Sequence, residues 1–521
     1  MACYQTKKSH NRSLRIRESV SLRTAGAIFI LILSSSPLSA GTRDEEYEID
    51  DSHASIEREI EQVSFRTLLD DSPFEQALLD SPSDVVPPEF EDIVEEEVLD
   101  QVAYGVHHPV DASDINMPPP KDPQKATVAF PNAFELKSDD GEFSLQFHNL
   151  TQVDGRFYGQ PNQNPVRDTF EIPRQWFIFS GKLTTPIEYF AAAAFGFDTL
   201  NLLDSFINFH SIDEVQFKVG RFKTPFTYEF FALPIQGLIN PERSLFFNNF
   251  ALNRDIGGMV HGSLWDKKFD YAAGMFNGSR NGFVDLNDGK EFAGYLNARP
   301  FGDSCGGWLE HLNIGASTMF GDNNQVPVPS ILRTSVATTG VGVNGIPFLT
   351  FNPGVTEQGM HAFYSAHAAY YHGSLSLISE LSGGHQAYSL GGVNQDVNVH
   401  AYYVQTGYFL TGEQVTMRNV PKPNNDFDPG CGGWGAWELT YRYNYLSLGD
   451  NIFTGGYANP ALWTNNLNTN DVGMNWYPNQ WVKIMWTWEH ANFGSPVVYN
   501  TTTGDQFNRS NTYWLRTQLY F

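Results

Sequence analysis

Residues 143–158 read FSLQFHNLTQVDGRFY. Phe143, Leu145, Phe147, Val153 and Phe157 share one face with Asn149, Thr151 and Gly155. Ser144, Gln146, His148, Gln152, Asp154, Arg156 and Tyr158 share the other. A period of two with one apolar and one wet face is the pattern of a β-strand. Its length suits a strand that crosses a bilayer at a tilt. The C-terminal residues repeat the pattern. Tyr513, Leu515, Leu519 and Phe521 alternate with Thr512, Trp514, Arg516 and Gln518.

Working inward from these two ends, further segments of the same kind fall at 170–182, 187–197, 203–210, 214–222, 256–264, 268–277, 290–300, 312–320, 361–372, 374–382, 398–410, 434–446, 469–477 and 480–493. With 143–158 and 508–521 they make sixteen. The expected fold is all-β, a 16-stranded antiparallel transmembrane β-barrel over residues 130–521. An even count lets such a barrel close, and closure leaves no strand edge facing lipid. If the first strand runs outward, 183–186, 211–213, 265–267 and 478–479 are short inner turns. Segments 223–255, 321–360 and 447–468 are then long outer loops. Two inner turns, 301–311 and 411–433, are longer than this asymmetry predicts. A soluble β-helix or sandwich would also bury apolar faces. Trp476, Tyr477 and Trp481 beside one turn, and Tyr520 and Phe521 at the terminus, favour an interfacial aromatic girdle instead.

The segments before the barrel differ in kind. Lys7, Lys8, Arg12, Arg15, Arg17 and Arg23 precede the apolar run Ala25–Leu33, and Pro37-Leu38-Ser39-Ala40 follows. This reads as a cleaved signal peptide, residues 1–40. Residues 41–129 read as an acidic, mostly disordered periplasmic spacer. Of the net charge of −26, residues 41–120 carry 23 acidic and three basic side chains. Such a stretch cannot bury enough apolar surface to order its backbone. A short helical contact with a periplasmic or cell-wall partner is the alternative for this spacer. An acidic chain is a poor partner for nucleic acid. No apolar run reaches the roughly 18 residues of a membrane helix.

Several stretches resemble the phosphate-selective porin O and P family. They are Gly220-Arg221-Phe222-Lys223-Thr224-Pro225-Phe226, Glu242-Arg243-Ser244 with Asn253-Arg254-Asp255-Ile256-Gly257, Gly435-Ala436-Trp437-Glu438-Leu439 with Arg442-Tyr443, and Asn475-Trp476-Tyr477 with Asn479. The resemblance implies a sixteen-stranded homotrimeric porin in the outer membrane of a diderm bacterium. It also implies a third outer loop folded into the lumen as a constriction. The count made from alternation places 223–255 as that loop. One departure stands out. The family usually carries an arginine-rich run in its second strand. Here Ile172-Pro173-Arg174-Gln175-Trp176 holds a single Arg. The expectation is therefore a water-filled channel for passive diffusion of small hydrophilic solutes, general or weakly anion-preferring, with phosphate among the candidates.

A channel needs charges along a wet path rather than a nucleophile. Alternation places Arg156, Arg174, Lys182, Lys218, Arg442, Lys483 and Arg516 on lumen faces. Lys223, Arg243 and Arg254 belong to the constriction loop. Asp154, Glu214, Glu438 and Glu489 oppose them, so internal ion pairing is an open alternative to pore lining. Glu242, Arg243 and Arg254 could equally hold the loop to the wall. Nothing points to an enzyme: there is no Gly-x-Ser-x-Gly elbow and no phosphate-cradling loop. His361, His367, His372 and His400 lack metal-ligand spacing, so no metal and no cofactor are expected. Two other readings remain open. One is a non-conducting structural or adhesive barrel tethered by the acidic segment. The other is an outer-membrane hydrolase. Finally, Cys305 and Cys431 are each followed by Gly-Gly-Trp and both fall in the long inner turns. They are a candidate disulfide in an oxidising compartment, although strands nine and thirteen are not neighbours and bridged Cα atoms must lie within about 7 Å.

Overall fold

The computed structural model describes residues 134–521 except 197–198, 281, 284, 286, 303–305 and 336–344. The stretches read as signal peptide and acidic spacer, residues 1–129, lie outside the described residues, as does Cys305.

The chain enters through a short strand, β1 (Phe134–Lys137), and then β2 (Ser144–Tyr158), β3 (Thr169–Thr184), β4 (Ile187–Gly196), β5 (Thr199–Ile212) and β6 (Val215–Lys223). After a long loop come β7 (Arg254–Leu264), β8 (Phe269–Phe276), β9 (Glu291–Ala298) and β10 (His311–Gln325). A small hairpin, β11 (Ile331–Arg333) with β12 (Pro347–Thr350), stands apart. The wall resumes with β13 (Thr356–His372), β14 (Leu375–Leu390), β15 (Val393–Phe409) and β16 (Ala436–Leu448). It ends with β17 (Asn466–Tyr477), β18 (Val482–Val498) and β19 (Gln506–Tyr520).

Each wall strand pairs antiparallel with the next, and β19 returns to β2 with Tyr513 opposite Phe157. The sixteen strands from β2 to β10 and β13 to β19 thus close on themselves. All sixteen sequence segments are present. The main difference lies at 383–397, which the sequence reading left between strands. There β14 and β15 run on to a two-residue turn at Gly391-Gly392. Both glycines have positive φ, 61° and 84°, a conformation that favours residues without a Cβ. Alternation there is broken by glycines and polar residues, so the strand pattern is invisible in sequence.

β1 occupies the part of the β2 edge that β19 leaves empty. Phe521 exchanges backbone hydrogen bonds with Asn149, and Phe134 pairs opposite Phe147 just beyond it. The Phe134 and Phe521 rings meet edge to face at 5.9 Å. The edge is thereby covered through the full length of β2.

The burial pattern is inverted relative to a soluble protein. Large apolar side chains such as Phe170, Leu200, Phe217, Leu381 and Tyr408 point outward and are exposed, while Asp154, Arg156, Glu438 and Arg516 face inward and are buried. An apolar outer band around a polar interior is the membrane-barrel arrangement. Trp265, Trp308 and Trp434 are exposed in inner turns. Trp476 and Trp437 donate to the Trp434 carbonyl at 2.9 and 3.1 Å. These indoles form part of the expected girdle.

Candidate functional site

The third outer loop, residues 224–253, does not project outward. It carries the short helices α1 (Tyr228–Phe231) and α2 (Leu245–Phe250). Its side chains Phe226, Phe230, Leu238, Ile239, Leu245 and Phe246 are buried. An apolar loop has little reason to stay in water, and the barrel interior offers it a partner. Phe230 stacks on Phe247 within the loop, and Phe246 meets Phe363 of the wall.

The segment between the helices has no strand partner, so its carbonyls need donors. Wall side chains supply them. The carbonyls of Gln236, Ile239 and Glu242 accept from Gln518 at 3.2 Å, Asn475 at 2.9 Å and Arg442 at 2.6 Å. Leu238 accepts from Lys483, and Pro241 from Arg516. At the start of α1, the Glu380 carboxylate accepts from the backbone of Tyr228 and Glu229, both at 2.8 Å.

The loop tip is also held by charge. Glu242 receives both terminal nitrogens of Arg174 at 2.7 Å and Nη2 of Arg516 at 2.7 Å. Arg516 also pairs with Asp154 at 2.6 Å. Asp154 pairs in turn with Arg156, which reaches Glu171 as well, both at 2.8 Å. Burial alone would raise Glu242, but the Arg174 and Arg516 guanidinium groups outweigh it and hold its carboxyl well below the usual range.

The sequence-predicted cations therefore fall into distinct settings. Arg156, Arg174, Arg442 and Arg516 lie on the lumen side of the wall, each ion-paired with a carboxylate. Lys483 is bound to a loop carbonyl beneath Tyr477. Arg243 is packed within the loop, over Phe230 and Phe247, and donates to the Glu229 carbonyl at 3.2 Å. Lys182 is half-exposed, 3.9 Å from Glu188. Lys223 and Arg254 face each other across the loop's neck as cross-strand partners. Arg254 pairs with Asp204 at 3.0 Å. Lys218 rests its ammonium 4.5 Å from the Phe206 ring centroid.

The anchors of the loop come mainly from β14 to β19. On the other side, against β2 to β7, a cavity of about 440 Å³ remains. Lys218, Lys223, Arg254 and Asp204 line it, with Trp176, Phe206, Phe222 and Phe231. Three cations and one carboxylate give its charged lining a positive balance.

Arg418 escaped the sequence reading. It belongs to the long inner turn 410–435, enters the barrel and is buried. It pairs with Glu438 at 2.6 Å and donates to the Gly237 carbonyl at 3.1 Å. A Cβ on Gly237 would meet the Asn419 Cα at 2.9 Å, so the turn and the loop tip touch backbone to backbone. The excess length of the turn was the available signal. Cys431 is exposed in the same turn. From the outer side, β11 covers α2: the Asn249 side chain and the Arg333 backbone exchange two hydrogen bonds of 2.9 Å.

A closed, lipid-facing barrel with a loop folded into its lumen defines the outer-membrane porin class. The sequence model of the family described as phosphate-selective porin O and P matches residues 146–521. The chain belongs to that family of outer-membrane channels. Porin O of Pseudomonas aeruginosa is 30% identical over 90 residues, a match that covers 17% of this chain and 20% of that relative. Among solved structures, an anion-selective porin from Comamonas acidovorans aligns at 11% identity with a TM-score of 0.45, over 73% of this chain and 100% of its own. The OmpF complex with daunomycin from Salmonella typhi aligns at 10% identity with a TM-score of 0.45, over 74% of this chain and 100% of its own.

Proposed function

We propose that this protein is a passive channel for small hydrophilic solutes that prefers anions, with its narrow passage between the third outer loop and the β2–β6 wall. The observation that carries the reading is the asymmetry of the loop. It is bonded along β14 to β19 and leaves a cavity on the opposite side, lined by the cations Lys218, Lys223 and Arg254 and the carboxylate Asp204. Cations along a narrow, low-dielectric passage lower the barrier for anions and raise it for cations. Phosphate is a candidate solute through the family. The four guanidinium groups engaged by carboxylates speak for a modest preference rather than strict selectivity. A homotrimeric assembly is part of the same proposal and rests on the family resemblance.

The test is the reversal potential of the purified protein in a planar bilayer under a potassium chloride gradient. A value on the chloride side is expected. A value on the potassium side, or a folded barrel that never conducts, would defeat the reading.

A further inference from the structure

The cavity beside the loop is built unlike a phosphate grip. A planar guanidinium fork grips phosphate bidentately, and the guanidinium of this lining, Arg254, is taken by Asp204 at 3.0 Å. The cavity instead presents a bank of rings with ammonium groups on it. Phe190 and Phe206 stack at 5.2 Å with their planes 4° apart, and Phe222 meets Phe206 edge-on at 5.9 Å. The Lys218 ammonium lies 4.5 Å from the Phe206 centroid and 5.7 Å from that of Phe222. Lys223 donates to the carbonyls of Phe230 at 2.9 Å and Leu233 at 3.3 Å. The carboxylate of the lining, Asp204, is engaged by Arg254. Among the described residues neither lysine forms an ion pair.

We propose that this cavity is a transit site for amphipathic monocarboxylates, compact anions that carry one carboxylate on a ring, with benzoate as the simplest case. The inference deepens the anion-channel reading and rests on it. Unpaired ammonium groups in an apolar setting are costly, and a carboxylate supplies the missing counter-charge. The ring of the same molecule displaces water from the half-buried rings of Trp176, Phe206 and Phe231 that line the cavity, where offset or edge-on aromatic contact is favourable. Phosphate would meet the charge and leave the rings wet. A neutral ring would meet the rings and leave the ammonium groups uncompensated. A volume of about 440 Å³ falls in the range of small-ligand sites.

The test is a block titration in planar bilayers. Chloride selectivity is measured first in potassium chloride alone, and cation selectivity there overturns the channel reading together with this inference. Potassium benzoate, acetate or phosphate, or benzyl alcohol, is then added to one side. Benzoate is expected to half-block the current at a concentration about ten-fold below acetate, phosphate or benzyl alcohol, equivalent to about 1.4 kcal/mol. Lys218→Gln and Phe206→Leu are each expected to raise its half-blocking concentration several-fold. The folding of both variants is verified beforehand by the heat-dependent shift on detergent gels, and the wild-type titration stands even if neither folds. Equal block by benzoate and acetate, tighter block by phosphate, or equal block by benzyl alcohol overturns the inference while leaving chloride selectivity intact. Insensitivity of benzoate block to both folded variants also overturns it.

Discussion

Arg516, five residues from the C-terminus, donates to the Glu242 carboxylate at 2.7 Å and so ties the last strand to the tip of the loop inside the barrel. Arg174 completes the clamp from β3. Removing one member of a buried pair costs on the order of 3–5 kcal/mol, because the other charge is left uncompensated. Glu242→Gln is therefore expected to loosen the loop. The open-channel current should become noisy, and the heat-dependent gel shift should occur at lower temperature. A quiet channel of unchanged thermal stability would show that carbonyl bonds alone hold the tip.

The same clamp has a defined pH dependence. The folded Glu242 lies below its ordinary value, which is about 4.3 in an unfolded chain. Its contribution is therefore complete above that value and is lost as the pH falls through the depressed folded value. The stability difference between wild type and Glu242→Gln should stay constant from pH 8 to about 5 and shrink below about 4. Shrinkage already between pH 8 and 6 would contradict the assignment.

Arg243 and Arg254 should part company. Arg254 lines the cavity and Arg243 is packed between rings of the loop. Arg254→Ala is expected to move the reversal potential toward potassium, because it leaves Asp204 without this partner. The effect should fade at 1 M salt, where the screening length is about 3 Å. Arg243→Ala should lower thermal stability with little change in selectivity. The opposite assignment of effects would relocate the passage.

Deletion of residues 41–125 is expected to leave a barrel that inserts and conducts normally. The described wall begins with β1 at Phe134, which covers the β2 edge next to Phe521. Failure of the deletion to assemble would make the acidic segment structural. Loss of envelope attachment alone would favour a tethering role for it.

A disulfide between Cys305 and Cys431 remains a proposal. Cys305 lies outside the described residues, and Cys431 belongs to the 410–435 turn, which reaches into the lumen through Arg418. Mass spectrometry of non-reduced peptides is expected to find the cross-linked pair. Free thiols at both positions would end the idea.

Alternation by itself determined the wall. Phe143 to Tyr158 shows both faces of a strand, and because side-chain direction follows a fixed period of two, strand number and the inward facing of Arg156, Arg174 and Arg516 were legible from local pattern. Pattern is silent about partners far apart in sequence. The Arg516–Glu242 contact spans 274 residues, and nothing within either segment states that the other is near. Whether a lumen cation lines the passage or holds the loop depends on where that loop lies. This is decided by its apolar side chains finding the barrel interior and by its unpaired carbonyls finding donors on β16 to β19. Tertiary structure therefore placed the cavity beside Lys218 and Lys223, because only closure of the barrel brings β2 to β7 opposite the strands that hold the loop.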